Sequence, residues 1–227
     1  MAQRDYLLDM FEEMSRALAQ VIYHKQLKDY HASHELIDEQ LKQALGMGSG
    51  FIRSLPDETL LAMLTTPGML NVEKCWLVAI LLKAEGDLYA EERDESNSYY
   101  SYLKACNLFL EVLYTRNQSK ELERISEVED LLGKLEEYEL PLRTRQLLFW
   151  YLDSTGQYGK AEDALFDILE TESDEEGEGH EAMQEMREKG EAFYARLLGK
   201  SDEELDNGNF SRAEINESLA RLHTLFP

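Results

Sequence analysis

Apolar residues return every three or four positions along most of this chain, and the polar gaps between the runs are short. Leu7, Met10, Phe11, Met14, Leu18, Val21 and Ile22 form one stripe from Asp5 to about Lys28, with Asp9, Glu12, Glu13, Arg16 and Gln20 opposite. That period predicts an amphipathic helix in need of a partner surface. Tyr30 to Leu45 predicts its antiparallel neighbour, ending where Gly46-Met47-Gly48-Ser49-Gly50 breaks the period. Ser54-Leu55-Pro56-Asp57 reads as a cap followed by an early-turn proline, opening a short helix through Leu60, Leu61 and Leu64 that Thr66-Pro67-Gly68 stops. Val72 to Glu92 is apolar nearly all round in its first half, through Cys75, Trp76, Leu77, Val78, Ile80, Leu81 and Leu82, so it is expected at the centre of the core. Further helices are predicted through the tyrosine-rich stretch to about Asn117, then over Ser119–Tyr138, Leu142–Thr155, Gln157–Glu170, His180–Leu198 and Phe210–Leu225.

One short pattern occurs twice. Gly156-Gln157-Tyr158-Gly159-Lys160-Ala161 and Gly208-Asn209-Phe210-Ser211-Arg212-Ala213 each precede apolar residues at helical spacing. The glycine can adopt the positive φ that ends a helix in a tight turn, the aromatic residue wedges between helices, and the alanine leaves room where two axes approach to ~8–10 Å. Degenerate copies without the glycine run through Tyr30, Ser33, Ile37 and Leu41, and through Tyr102, Ala105, Phe109, Val112 and Leu113. Close helix contact is thus expected at Ala105, Ala161 and Ala213. The aromatic landmarks are spaced unevenly and farther apart than the ~34 residues of a regular array, so additional helices separate the copies.

The Gly-x-aromatic-x-x-Ala start resembles the second helix of a tetratricopeptide (TPR) unit, although Phe149 stands where that family has a small residue. Through Asp5-Tyr6-Leu7-Leu8, Glu12-Glu13, Ala17-Leu18-Ala19 and the Gly156 hairpin, the chain also resembles an uncharacterised family of soluble bacterial proteins with TPR-like helices. The resemblance thins after Thr171 and implies an architecture, with no reaction to transfer. The expected fold is all-α, a right-handed stack of antiparallel helical hairpins with degenerate TPR-like repeats. Residues 1–170 form its body and residues 180–227 a last hairpin docked on the same stack. The strip 171–179 between them, with Glu172, Asp174, Glu175, Glu176 and Glu178, reads as an acidic linker.

Charge narrows the partners. Of 227 residues, 46 are acidic and 23 basic, a net charge of −23. Nucleic-acid affinity comes from Lys and Arg neutralising phosphates, and no basic stripe concentrates the minority here, so neither DNA nor RNA is expected. The same repulsion disfavours an anionic membrane surface, whereas a cationic protein or peptide would be steered in. The longest apolar run, Cys75 to Leu82, falls far short of the ~20 residues of a membrane span. Cys75 and Cys106 lie within helical patterns and read as small buried apolar residues in a reducing compartment, and the first residues are unlike a signal peptide, so a cytoplasmic location is expected.

Candidate chemistry is sparse. The glycine run at 46–50 lacks both the preceding strand and the Lys-Ser/Thr of a phosphate loop, and no nucleophile elbow or paired-histidine zinc motif is present. His31, His34 and Asp38 share a helix face at offsets suited to zinc or a similar divalent ion, with His24 and Glu35 as auxiliaries. Tyr89, Tyr99, Tyr100, Tyr102 and Tyr114 form an aromatic cluster that cannot all face inward, and Tyr99 and Tyr100 are its candidates for partner binding. The sequence therefore reads as a non-catalytic protein- or peptide-binding module with no cofactor. Two alternatives stand beside it: a metal protein or enzyme built on the His31 face, and a homodimer that shares the stripe of the first helix.

Overall fold

The computed structural model describes residues 2–66, 68–116, 126–171 and 178–225. Among these residues the chain is almost wholly helical. Twelve helices are present, with one two-stranded antiparallel ladder, β1 (Thr65–Thr66) and β2 (Met69–Leu70), at the Thr66-Pro67-Gly68 stop. The chain forms two compact units, Met1–Arg116 with Ile125–Tyr138, and Asn117–Arg124 with Glu139–Pro227.

The first unit holds α1 (Ala2–Gln26), α2 (Tyr30–Leu45), α3 (Ser49–Ser54), α4 (Asp57–Met63), α5 (Val72–Glu92), α6 (Glu95–Arg116) and α7 (Ser126–Leu135). The bounds of α2 and α5 coincide with the sequence reading because their ends carry side-chain and backbone caps. Asp29 accepts a hydrogen bond from the Ala32 N–H and Asn71 accepts one from the Lys74 N–H, while Gly46 takes the left-handed conformation that returns its N–H to the Lys42 carbonyl. The central pair is α5 and α6, against which α1, α2 and α7 pack. Every residue from Ser101 to Leu113 is buried. This stretch includes Lys104 and Asn107, whose side chains both bond the carboxylate of Asp57 at the start of α4. The proline expected in the first turn of α4 sits one position earlier, at the cap, where it contributes no side-chain hydrogen bond, and the Ser54 hydroxyl donates backwards to the Phe51 carbonyl.

The second unit holds α8 (Leu142–Ser154), α9 (Tyr158–Thr171), α10 (Glu178–Leu198), α11 (Asp202–Asn207) and α12 (Arg212–Leu225). Here α8 pairs with α9, and α10 lies against both α9 and α12. The predicted linker falls mostly outside the described residues, at 172–177, while Glu178 and Gly179 open α10. Likewise Leu122 and Ile125, the start of the helix expected from Ser119, lie outside them.

The two copies of the repeated pattern touch. The Gly159 N–H donates to the Gly208 carbonyl at 3.1 Å, and Tyr158 covers Gly208 so closely that a Cβ there would overlap its ring. Gly156 takes the expected positive φ of 73°, but in the second copy that conformation passes to Asn209, at 53°, and Gly208 is needed for close approach instead. A second difference corrects the expectation for Ala213. Ala105 and Ala161 are fully buried at helix contacts, whereas Ala213 is exposed. The Ser211 hydroxyl accepts from the Glu214 N–H, and the Glu214 carboxylate accepts from the Ser211 N–H at 2.7 Å. This reciprocal cap starts α12 at Arg212. In the first copy the helix starts at Tyr158, two positions earlier in the pattern. The later start leaves Ala213 in an outward first turn, while Ile215 and Leu222 take the inner face.

Candidate functional site

Two places in the first unit concentrate side chains that packing alone does not require. The first is an exposed group of tyrosines. Asp94 caps α6 by accepting the Asn97 N–H at 3.1 Å and the Asn97 side-chain amide at 2.7 Å, and these bonds hold its carboxyl below the usual range. Ser98 and Ser101 take the inward positions of the first turns, so the rings of Tyr99 and Tyr100 are carried toward the outside. Their centroids are 5.2 Å apart at an interplanar angle of 63°. At the end of α7 the Tyr138 N–H bonds the Leu135 carbonyl, and this turn brings the Tyr138 ring to 4.7 Å from that of Tyr99. Tyr100 remains 50% exposed and Tyr138 39%. Exposed aromatic clusters with polar tips are what recognition surfaces use. Tyr99 and Tyr100 were singled out by helix geometry, but Tyr138 carries no local signal, because its partner lies across a turn on another helix.

The second place is an ionic cluster linking α2, α3 and α5. Glu85 is 1% exposed, and one of its oxygens accepts from Arg53 at 2.5 Å. Arg53 also bonds the Tyr89 hydroxyl at 3.1 Å, with its guanidinium 4.9 Å from the centroid of that ring. His34 stacks on Tyr89 at 4.5 Å, donates to Glu92 at 2.7 Å and turns Nδ1 toward Glu85 at 3.9 Å, beyond hydrogen-bond reach. Burial would push the Glu85 carboxyl up, but His34, Arg53 and Ser49 together outweigh it and leave its pKa lowered. Burial likewise opposes charge on His34, and the two carboxylates outweigh it, leaving the imidazole pKa raised. The cluster is thus charge-balanced: Arg53 and His34 face Glu85 and Glu92.

The residues proposed for a metal do not converge. His31 is exposed and pairs with Glu35 at 3.3 Å; His34 belongs to the ionic cluster; Asp38 accepts from the Ser49 N–H at 2.9 Å and from Lys42 at 2.5 Å. The auxiliary His24 faces Asp29 at 3.6 Å. Among the described residues no group of three or more His, Cys, Asp or Glu side chains is placed to hold a metal ion. A cleft of about 450 Å³ opens between α1 and α2, lined by residues that include Tyr23, His24, Glu35 and Glu39, and none of the ionic-cluster residues borders it. Cys75 and Cys106 are buried, and burial pushes both thiols up to about 12, which makes them poor nucleophiles.

Comparison with known proteins places the molecule. Residues 68–226, most of its length, match a family described as a family of unknown function, DUF6483. The chain belongs to that family. The DUF6483 match covers α5–α12, and so includes all three tyrosines of the exposed group, Tyr99, Tyr100 and Tyr138, while the His31 face and Arg53 lie ahead of it. Neither a curated protein nor a solved structure matches the chain. No described helix is long and apolar enough to cross a membrane.

Proposed function

We propose that this protein is a non-catalytic module that binds another protein or a peptide, with its consecutive helices acting as degenerate TPR-like hairpins. The pairing of α1 with α2, α5 with α6 and α8 with α9 supports the hairpin reading, as do buried Ala105 and Ala161. The binding reading is carried by one observation: Tyr99, Tyr100 and Tyr138 form a contiguous aromatic group in which Tyr100 and Tyr138 stay exposed around a half-buried Tyr99. Such rings offer rigid contact area at low entropic cost. The ionic cluster balances its charges among its own members and is read as a structural lock between helices.

The test is capture from a lysate of the source organism with the full chain as bait, comparing the parent with Tyr99→Ala/Tyr100→Ala. A protein retained by the parent and lost by the variant, with circular dichroism and melting temperature preserved in the variant, is the expected result. Equal recovery by both would remove the tyrosine group from binding, and a collapse of the melting curve would return the rings to a packing role.

A further inference from the structure

We infer that the tyrosine face takes a cationic, arginine-bearing segment of another protein, with guanidinium groups over the rings of Tyr100 and Tyr138 and beside the carboxylates of Glu95, Glu136 and Glu137. This rests on the binding reading above and names the chemistry of the partner.

Aromatic faces carry negative electrostatic potential and attract cations. The chain satisfies several of its rings internally. Arg53 stands 4.9 Å from the Tyr89 centroid, Lys134 5.3 Å from Tyr102, Lys200 5.6 Å from Tyr158 and Arg221 4.0 Å from Phe166. Among the described residues, no Lys or Arg stands over Tyr100 or Tyr138, whose ring contacts are with Tyr99.

Carboxylates on α5, α6 and α7 and at their ends divide into paired and unpaired ones. Glu91 pairs with Lys25, Glu92 with His34, and Asp130 with Lys83 and Lys134. Glu95, Glu136 and Glu137 are exposed and hold no ion pair within the described chain. Glu95 lies one helical turn ahead of Tyr99 on the same face of α6, and Glu136 and Glu137 immediately precede Tyr138. Lys134, a nearby cation in sequence, is bound to both Asp87 and Asp130.

Ring faces open to a cation and carboxylates without one therefore occur together, in a chain whose net charge of −23 steers cations toward it. Arginine fits better than lysine, because a planar guanidinium stacks on a ring while its edge bonds a carboxylate.

The experiment titrates the full chain with an alternating Arg-Gly octapeptide and its citrulline counterpart, by calorimetry and amide NMR in physiological salt. Citrulline keeps the shape of arginine and removes its charge. The arginine peptide is expected to bind and to shift resonances of Tyr100 and Tyr138, with the citrulline peptide at least tenfold weaker. Tyr100→Ala/Tyr138→Ala should weaken the arginine peptide by about tenfold, from two exposed cation–π contacts. Glu95→Gln/Glu136→Gln/Glu137→Gln, confined to exposed side chains, should weaken it without affecting the fold, and so keeps the test valid if the alanine variant unfolds. Equal binding by parent and both variants would reduce the effect to general attraction by an acidic surface and overturn the inference. Equal binding of the two peptides would overturn the cationic chemistry while keeping a docking role for the tyrosines. Should the arginine peptide fail while Tyr99→Ala/Tyr100→Ala still abolishes capture from lysate, only the cationic inference falls; if capture is unaffected as well, both readings fall.

Discussion

Glu85, one of 46 acidic residues, is held beneath α2 and α3 by burial and by two opposing cations, Arg53 and His34. Its pKa is lowered and that of His34 raised, so the cluster responds to pH at both ends. A group with a depressed folded pKa stabilises above its unfolded value and loses that contribution as pH falls. One with an elevated folded pKa stabilises below its unfolded value and loses the contribution as pH rises. Both contributions are therefore present from the ordinary Glu value of 4.5 to the ordinary His value of 6.5, and that of His34 fades as pH climbs through its raised pKa. His34→Gln should flatten the alkaline limb of a stability-versus-pH curve from urea melts and also weaken the acid limb, because His34 helps to hold the Glu85 carboxyl down. An alkaline limb as steep as the parent's would assign the dependence to other groups. None of this was readable in sequence: Arg53 and Glu85 are distant along the chain, and a buried carboxylate looks like any other until the fold surrounds it.

At the scale of the element, the two copies of one six-residue pattern show what local sequence can and cannot specify. Both turns form, and both aromatic residues are buried, Tyr158 at 7% and Phe210 at 4% exposure. The copies diverge because Ser211 and Glu214 make a reciprocal cap where the first copy has Gly159 and Glu162, and the helix start moves with it. Ala161→Leu should overpack the closed contact and cost about 1–3 kcal/mol, whereas Ala213→Leu, at an exposed position, should stay within about 0.5 kcal/mol. Paired denaturant melts check this, and equal losses would mean that Ala213 is packed as tightly as Ala161. The same logic separates the legible helices from the missed ones. Long periods with strong caps placed α2 and α5, while α3 and α11 are six residues each, too short for an apolar stripe to repeat. The start of α11 is marked instead by a capping box, in which the Ser201 side chain accepts from the Glu204 N–H and the Glu204 carboxylate accepts from the Ser201 N–H. Of the tyrosine group, Tyr99 and Tyr100 were legible because a run of tyrosines that dense cannot all turn inward, and Tyr138 was not because its placement is tertiary.

For the molecule as a whole, excess negative charge is a standing cost of compactness. Carboxylates outnumber cations two to one, and folding brings them nearer than the unfolded chain holds them. Added salt acts in two directions. It screens this long-range repulsion, with a Debye length shrinking from about 30 Å at 0.01 M to about 10 Å at 0.1 M, but it also weakens the exposed pairs that help the fold. Many of those pairs are solvent-facing i,i+4 contacts, such as Glu12 with Arg16 and Glu185 with Lys189, which contribute little. The pair positioned to contribute most, Arg53 with Glu85, is shielded on both sides and resists screening. Relief of repulsion should therefore dominate. Raising sodium chloride from 0.01 to 0.3 M is expected to raise the melting temperature, by about 2–4 °C for each kcal/mol of repulsion removed in a chain of this size. Calorimetric scans across that range decide it. A flat or falling melting temperature would mean that screening of favourable pairs matches or exceeds relief of repulsion, and that the acidic excess is already dispersed enough to cost the folded state little.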